Sequence, residues 1–105
     1  MKFKNLILIS LSLALTNSCS NENTLNIATS ANMQFAMNEI VSEFEKENNI
    51  KTELIVTSSG KLTSQIEQGA PFDVFVAANK KYPTYLDSLG LTTSAPQVYA
   101  HGKLV

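Results

Sequence analysis

Two short polar loops carry the residues of this sequence that could bind or act on another molecule. The first is ATSANM at residues 28–33, and the second is TSSGK at residues 57–61. Hydroxyl and amide side chains in such loops can act as a nucleophile, as part of a phosphate-binding loop, or as neutral donors to an anion. The residues around them help to separate these three possibilities.

The spacing around TSSGK excludes a phosphate-binding loop and disfavours a serine nucleophile. A Gly-x-x-x-x-Gly-Lys-Ser/Thr loop would need glycine at position 55 and a hydroxyl at position 62, where the chain has Ile55 and Leu62. A nucleophile elbow would need Gly-x-Ser-x-Gly, and the single histidine, His101, has no evident acid partner. We expect His101 to be a surface or loop residue.

An anion site requires no proton transfer and fits both loops. Free backbone N–H groups and the positive end of the dipole at a helix start attract an anion, and uncharged side chains add further donors. Ser30, Ala31 and Asn32 offer such groups in the first loop, and Ser58 and Ser59 offer them in the second. A site made of donors favours a fully deprotonated anion. Helix capping by Ser58, Ser59 and Asn32 is the alternative, and these residues alone leave both interpretations open.

The elements that must position these loops alternate between strands and helices. Strands are predicted at 25–29, 53–57 and 72–78, and helices at 33–48, 61–69 and 79–90. This order predicts an α/β fold whose parallel sheet is built from βαβ units with right-handed crossovers. Such sheets bind ligands at the carboxyl ends of their strands, where both loops fall.

Details of the pattern predict which parts are buried. The first helix places an apolar face at helical spacing, made of Met33, Met37, Ile40, Val41 and Phe44. Ser30 and Asn32 are both suitable N-caps for it. The strand at 53–57 is nearly all apolar, which predicts cover on both faces. Residues 96–105 are predicted to be an apolar strand that is cut off partway.

The N-terminus has the order of an export signal. Lys2 and Lys4 precede the apolar stretch LILISLSLAL, and TNSC follows it, so residues 1–19 are excluded from the fold. The Ser-Cys pair resembles the cleavage box of bacterial lipoproteins, which predicts a lipid on Cys19. Ordinary cleavage nearby is the alternative. Residues 20–24 are then a short polar tether.

Composition excludes some classes of partner and limits the core. The 105 residues are 44% hydrophobic and carry a formal net charge of -1, which predicts no attraction to nucleic acid or to anionic membranes. Three βα units of this size bury little surface. We therefore expect the chain to be the first part of a longer protein.

From Leu25 to Val105 the sequence resembles the molybdate-binding proteins of ABC importers, the ModA-like branch of the type II periplasmic binding proteins. The resemblance rests on ATSANM, on a helix ending EFEKENN, and on VTSSGKLTSQIEQGAP followed by FDVFVAANKKYPTYLDSLG. It implies that residues 25–105 are the N-terminal part of the first, oxyanion-binding lobe of a two-lobed protein, truncated before the second lobe.

The same resemblance implies a function and a set of ligands. The protein would be an extracytoplasmic receptor, not an enzyme, that captures molybdate or tungstate and delivers it to a membrane permease. Asn32 and Ser59 would bind the anion, with Ala31, Ser58 and Gly60 as accessory donors. No cofactor is implied, because molybdenum enters only as the bound anion.

Three other functions compete with this one. A receptor for another tetrahedral oxyanion such as sulfate is the nearest, because such dianions differ chiefly in size. A serine hydrolase using Ser59 is a second, although no base or metal cluster accompanies that residue. A structural lipoprotein that merely uses the fold is a third.

Overall fold

A computed structural model describes residues 23–105 of the chain. The predicted export signal, Cys19 and most of the predicted tether lie outside the described residues. The elements follow in the order β1 (Thr24–Ser30), a 3-10 turn (Ala31–Met33), α1 (Gln34–Asn48), β2 (Lys51–Thr57), α2 (Ser59–Glu67), β3 (Val74–Val76) and α3 (Lys81–Ser88). The predicted α/β fold is therefore confirmed.

The three strands form one parallel sheet with β1 in the middle, in the order β2-β1-β3. β1 pairs with β2 along its whole length, from Thr24 opposite Lys51 to Ser30 opposite Thr57. α1 connects β1 to β2, and α2 carries the chain from β2 past β1 to β3. The two polar loops therefore leave the same edge of the sheet from neighbouring strands.

The core lies between this sheet and the helices. Its buried apolar residues are Ile27, Ala28, Met37, Leu62, Ala77 and Leu86. Leu62 and Leu86 are almost fully buried, which fits the contact between α2 and α3. Gly69 follows α2, at the residue where the predicted helix ends, and its φ of +92° is a backbone conformation that strains any residue with a side chain.

The predicted apolar face of α1 is correct at its centre and wrong at one edge. Met37 is buried, and Val41 is half-buried. Ile40 is 56% exposed, because it lies about 60° around the helix axis from Met37. The apolar sequence of β2 predicts cover on both faces, but β2 is an edge strand of the described sheet and its residues are half-buried or exposed.

β3 is shorter than predicted, with three residues in place of seven. At its amino end the side chain of Asp73 takes part in the pairing: the Asn26 N–H donates to Asp73 Oδ2 at 2.8 Å, and the Asp73 N–H donates to the Asn26 carbonyl at 2.8 Å. The Asp73 carboxylate therefore accepts the hydrogen bond that a backbone carbonyl would accept in a regular strand.

The predicted strand at 96–105 is wrong, because this segment has no regular structure. A strand requires a neighbour with which to exchange backbone hydrogen bonds, and the segment pairs with none of the three described strands. It is held instead by a side chain, since Tyr99 Oη donates to the Ala77 carbonyl at 2.7 Å. Within residues 23–105, no helix combines the length and the apolar character needed to cross a membrane.

Candidate functional site

The register of β1 and β2 places the two polar loops side by side. Ser30 and Thr57 are the last paired residues of these strands. Asn32 and Ser59 each come two residues after that pair, so both lie just beyond the carboxyl edge of the sheet. This is the edge at which parallel α/β sheets bind ligands.

The first loop is held by a hydrogen bond between its own side chains. Ser30 is buried, with 3% of its surface exposed, and its Oγ donates to Asn32 Oδ1. The prediction that these residues cap the following helix is wrong, because the N-cap position of α1 is Met33 and no side chain caps it. The reason is local: the 3-10 turn Ala31–Met33 comes before α1, and the Asn32 oxygen accepts from Ser30 rather than from a backbone N–H of α1.

This bond leaves the donors of the first loop available. With Oδ1 of Asn32 accepting from Ser30, the Nδ2 group keeps its two N–H donors, and the Asn32 side chain is exposed. Ala31 opens the 3-10 turn, and its carbonyl accepts from the Gln34 N–H. The Ala31 N–H precedes the first acceptor of the turn, so it has no partner within the turn.

In the second loop, Ser58 is the N-cap of α2. Its backbone is extended, and its Oγ accepts from the Lys61 N–H at 3.2 Å. The capping interpretation is therefore confirmed for Ser58. The N–H groups of Ser59 and Gly60 belong to the first turn of α2, where no acceptor within the helix exists. They are available to an anion at the positive end of the helix dipole.

Ser59 has a different role, because it does not cap its own helix. It is 6% exposed, and its Oγ accepts from the Ala78 N–H at 2.9 Å. Its carbonyl accepts from Thr63 Oγ1 at 2.7 Å. The bond to Ala78 joins the start of α2 to the loop that follows β3, on the far side of β1. One lone pair of Oγ is thus occupied, while the hydroxyl hydrogen can still be donated.

Sequence reasoning missed the contribution of Ala78. Its side chain has no polar atom, and the group that matters is a backbone N–H, which every residue except proline possesses. The one feature of the sequence that could have indicated Ala78 is its position, because Ala78 is the last residue of the predicted strand 72–78 and lies at the ligand-binding edge of the sheet. The sequence contained no indication that Ser59 would reach it.

The groups with perturbed pKa values lie away from both loops. The pKa of Glu45 is lowered, because Thr52 donates to its carboxylate from both its side chain and its backbone. The pKa of Tyr85 is raised, because its hydroxyl donates to the Glu67 carboxylate, whose charge adds to the effect. Glu45 lies near the last turn of α1, and Glu67 ends α2, whereas the loops lie at the first turns. Lys61 is exposed at the surface.

The surroundings of Ser59 do not resemble those of an activated nucleophile. Activation needs a base that accepts the hydroxyl proton, but the partner of Ser59 Oγ is a backbone donor. His101 is exposed in the segment after α3, as predicted for a surface residue. Among residues 23–105, no group of three or more His, Cys, Asp or Glu side chains is placed to hold a metal ion.

Comparison with known proteins identifies similar sequences. A family model described as bacterial extracellular solute-binding protein matches residues 25–105. The molybdate-binding protein ModA of Azotobacter vinelandii is 39% identical over 82 residues, which are 77% of this chain and 32% of that protein. The molybdate-binding protein ModA of Escherichia coli K12 is 32% identical over 90 residues, which are 85% of this chain and 35% of that protein.

Solved structures resemble the same region. A substrate-binding domain of a molybdenum ABC transporter from Clostridium difficile matches with a TM-score of 0.60 and 40% identity over 63% of this chain and 29% of its own. The periplasmic molybdate-binding protein of Azotobacter vinelandii matches with a TM-score of 0.61 and 32% identity, again over 63% of this chain and 29% of its own. This chain spans about a third of the length of the curated relatives it matches.

Proposed function

The chain belongs to the family of bacterial extracellular solute-binding proteins, and from this premise we propose that it is part of a receptor that captures molybdate and delivers it to an ABC transporter permease. Tungstate, which has the same shape and charge, is proposed as a second ligand. Residues 25–105 would form part of the first lobe, and the relatives named molybdate-binding protein support this choice of ligand.

One observation carries the proposal: two loops with uncharged donors follow the paired residues Ser30 and Thr57 on neighbouring parallel strands. Asn32 Nδ2 and Ser59 Oγ–H are the proposed side-chain ligands. The backbone N–H groups of Ala31 and Gly60, together with the Ser58 hydroxyl, are the proposed accessory donors. A tetrahedral dianion has four oxygens to accept from such groups.

The chemistry of the donors selects the protonation state of the ligand. Amide and hydroxyl donors satisfy a fully deprotonated oxyanion, whereas a protonated oxygen would need an acceptor, and the oxygens of Asn32 and Ser59 each already accept one hydrogen bond. The oxygen of Asn32 accepts from Ser30, and that of Ser59 accepts from Ala78. The proposed role involves no bond making or breaking, so we propose that the protein is not an enzyme.

We propose that a second lobe completes the site. The loops of one lobe can contact only one side of an ion, and this chain spans about a third of the length of its relatives. Closure of two lobes around the anion by a hinge motion would supply the remaining donors. The described lobe by itself is therefore expected to bind molybdate weakly or undetectably.

We also propose that the protein works outside the cytoplasm and is held to the membrane through a lipid on Cys19. The signal-like order of residues 1–19 supports export, and the Ser-Cys pair supports lipid attachment. Metabolic labelling with a radioactive fatty acid tests the anchor. Label should enter the wild-type protein and be absent from Cys19→Ser, and equal labelling of both would contradict the anchor.

Calorimetric titration of the intact protein tests the proposed function. Molybdate is expected to bind tightly with one ion per protein, tungstate to compete with it, and sulfate to compete only at much higher concentration. If sulfate displaced molybdate at comparable concentration, a receptor for smaller oxyanions would replace this proposal. Absence of binding by every oxyanion would favour a structural lipoprotein, and hydrolytic activity that disappears in Ser59→Ala would favour a hydrolase.

A further inference from the structure

The end of β1 contains a buried hydroxyl for which the proposed site has no direct use. Ser30 is 3% exposed, and its Oγ donates to Oδ1 of the exposed Asn32 side chain. Because its single hydrogen is committed to Asn32, the Ser30 hydroxyl has no hydrogen left to offer an anion. It therefore lies beside the site without being a ligand in it.

A primary amide can help or harm an anion site, depending on how it is turned. The NH₂ group donates and attracts an oxyanion, whereas the carbonyl oxygen accepts and repels it. The torsion that exchanges the two, χ2 of asparagine, is broad and roughly two-fold, so the side chain has little preference of its own. Something outside the amide has to select the orientation in which Nδ2 faces the ligand.

We propose that Ser30 is the positioning residue that makes this selection, by holding Oδ1 of Asn32 away from the anion so that Nδ2 faces it. This inference rests on the proposed oxyanion function and adds a residue to it. A hydroxyl that donates to Oδ1 stabilises one of the two amide orientations. In that orientation the NH₂ group, and not the oxygen, faces the ligand.

The backbone around Ser30 makes it suitable for this role. It is the last residue of the central strand and is paired with Thr57, so its Cα is fixed by the sheet. Its φ of -59° and ψ of 138° are an extended conformation that β-branched residues also adopt, so threonine can replace serine there. Burial limits competition from water for the hydrogen bond.

A double-mutant cycle on the intact protein tests the role, with molybdate as the probe and calorimetric titration as the measurement. Ser30→Ala should weaken binding about three- to tenfold, the effect of one uncharged hydrogen bond. In an Asn32→Ala background, where no amide remains to be oriented, the same change should leave the affinity unaltered. Ser30→Thr keeps the hydroxyl and should bind within about twofold of wild type.

The cycle distinguishes positioning from general support of the fold. A loss of the same size in both backgrounds would overturn the inference, because a structural role does not depend on the Asn32 amide. Equal affinities for Ser30→Ala and Ser30→Thr would also overturn it. Should Ser30→Ala fail to fold, Ser30→Cys takes its place, since a thiol is a weaker donor and should give a smaller loss that again vanishes in Asn32→Ala.

The wild-type titration separates this inference from the function on which it rests. If the intact wild-type protein binds no molybdate, the receptor function is refuted and the positioning role is refuted with it. If wild type binds and Ser30→Ala binds equally well, only the positioning role is refuted.

Discussion

Replacing Ser58 and Ser59 one at a time should separate helix capping from anion binding in two adjacent residues of the same type. Ser58 Oγ accepts from the Lys61 N–H at 3.2 Å and is the N-cap of α2. Ser59 Oγ accepts from the Ala78 N–H at 2.9 Å and retains a hydroxyl hydrogen, which we propose is donated to the ligand. We expect Ser58→Ala to affect mainly stability and Ser59→Ala to affect mainly affinity.

The expected cost of Ser58→Ala follows from the loss of a helix cap. Replacing a serine N-cap by alanine lowers the free energy of unfolding by about 1 kcal/mol. Replacing it by glycine lowers that free energy by only about 0.3 kcal/mol. Ser58→Gly should therefore recover most of the lost stability. As a proposed accessory donor, Ser58 should change the molybdate affinity less than Ser59 does.

The expected cost of Ser59→Ala has two parts. Loss of a hydrogen bond to a charged ligand costs about 1.5–3 kcal/mol, which weakens molybdate binding about ten- to a hundredfold. The substitution also removes the acceptor of the Ala78 N–H, which affects the protein without ligand as well. Because Ala78 is exposed, water can replace that acceptor, and the free energy of unfolding should fall by about 1 kcal/mol or less.

Urea unfolding without anion and calorimetric titration with molybdate measure the two effects separately. Ser64→Ala is the matched control, because Ser64 is an exposed serine of the same helix and should change neither quantity appreciably. The reasoning is refuted if Ser58→Ala weakens binding more than Ser59→Ala does. It is also refuted if Ser59→Ala binds molybdate as wild type does.

Three further predictions concern the first loop, the core and the response to acid. Asn32→Asp should abolish measurable molybdate binding in a calorimetric titration, because a carboxylate would face a dianion; retained affinity would contradict a ligand role for Asn32. Leu62→Ala should lower the free energy of unfolding by about 2–5 kcal/mol in urea, since Leu62 is fully buried; a loss below about 1 kcal/mol would contradict its place in the core. Because the pKa of Glu45 is lower in the folded protein than its ordinary value of 4.5, the ionised Glu45 stabilises the fold at pH values above 4.5. This contribution is lost as the pH falls through the lowered pKa. Stability of Glu45→Gln should therefore fall less steeply than that of wild type below pH 4.5 in urea unfolding, and equal slopes would contradict the Thr52 contact.

The elements that depend on local chemistry could be predicted from the sequence. Alternating apolar strands and helices gave the α/β fold, and Ser58 could be assigned as a possible cap because an N-cap depends only on the next three residues. Gly69 ends α2 for an equally local reason. The placement of both polar loops at one edge also followed, because in a βαβ unit consecutive parallel strands point the same way.

Features that depend on tertiary contacts could not be predicted. The bond from the Ala78 N–H to Ser59 joins residues 19 apart and uses a backbone group without a sequence signature. The residue types of Ser30 and Asn32 suit a helix cap, but in the fold they bond to each other. Burial at the edge of an apolar face, as at Ile40, depends on what packs beside the helix.

The most direct test of the central claim is a crystal structure of the intact protein with molybdate, using the anomalous signal of molybdenum to place the ion. We predict one strong peak beyond the carboxyl edge of the sheet, with anion oxygens about 3 Å from Asn32 Nδ2 and Ser59 Oγ. A fully occupied molybdate bound elsewhere, with both side chains facing solvent, would contradict the assignment of these two loops as the binding site.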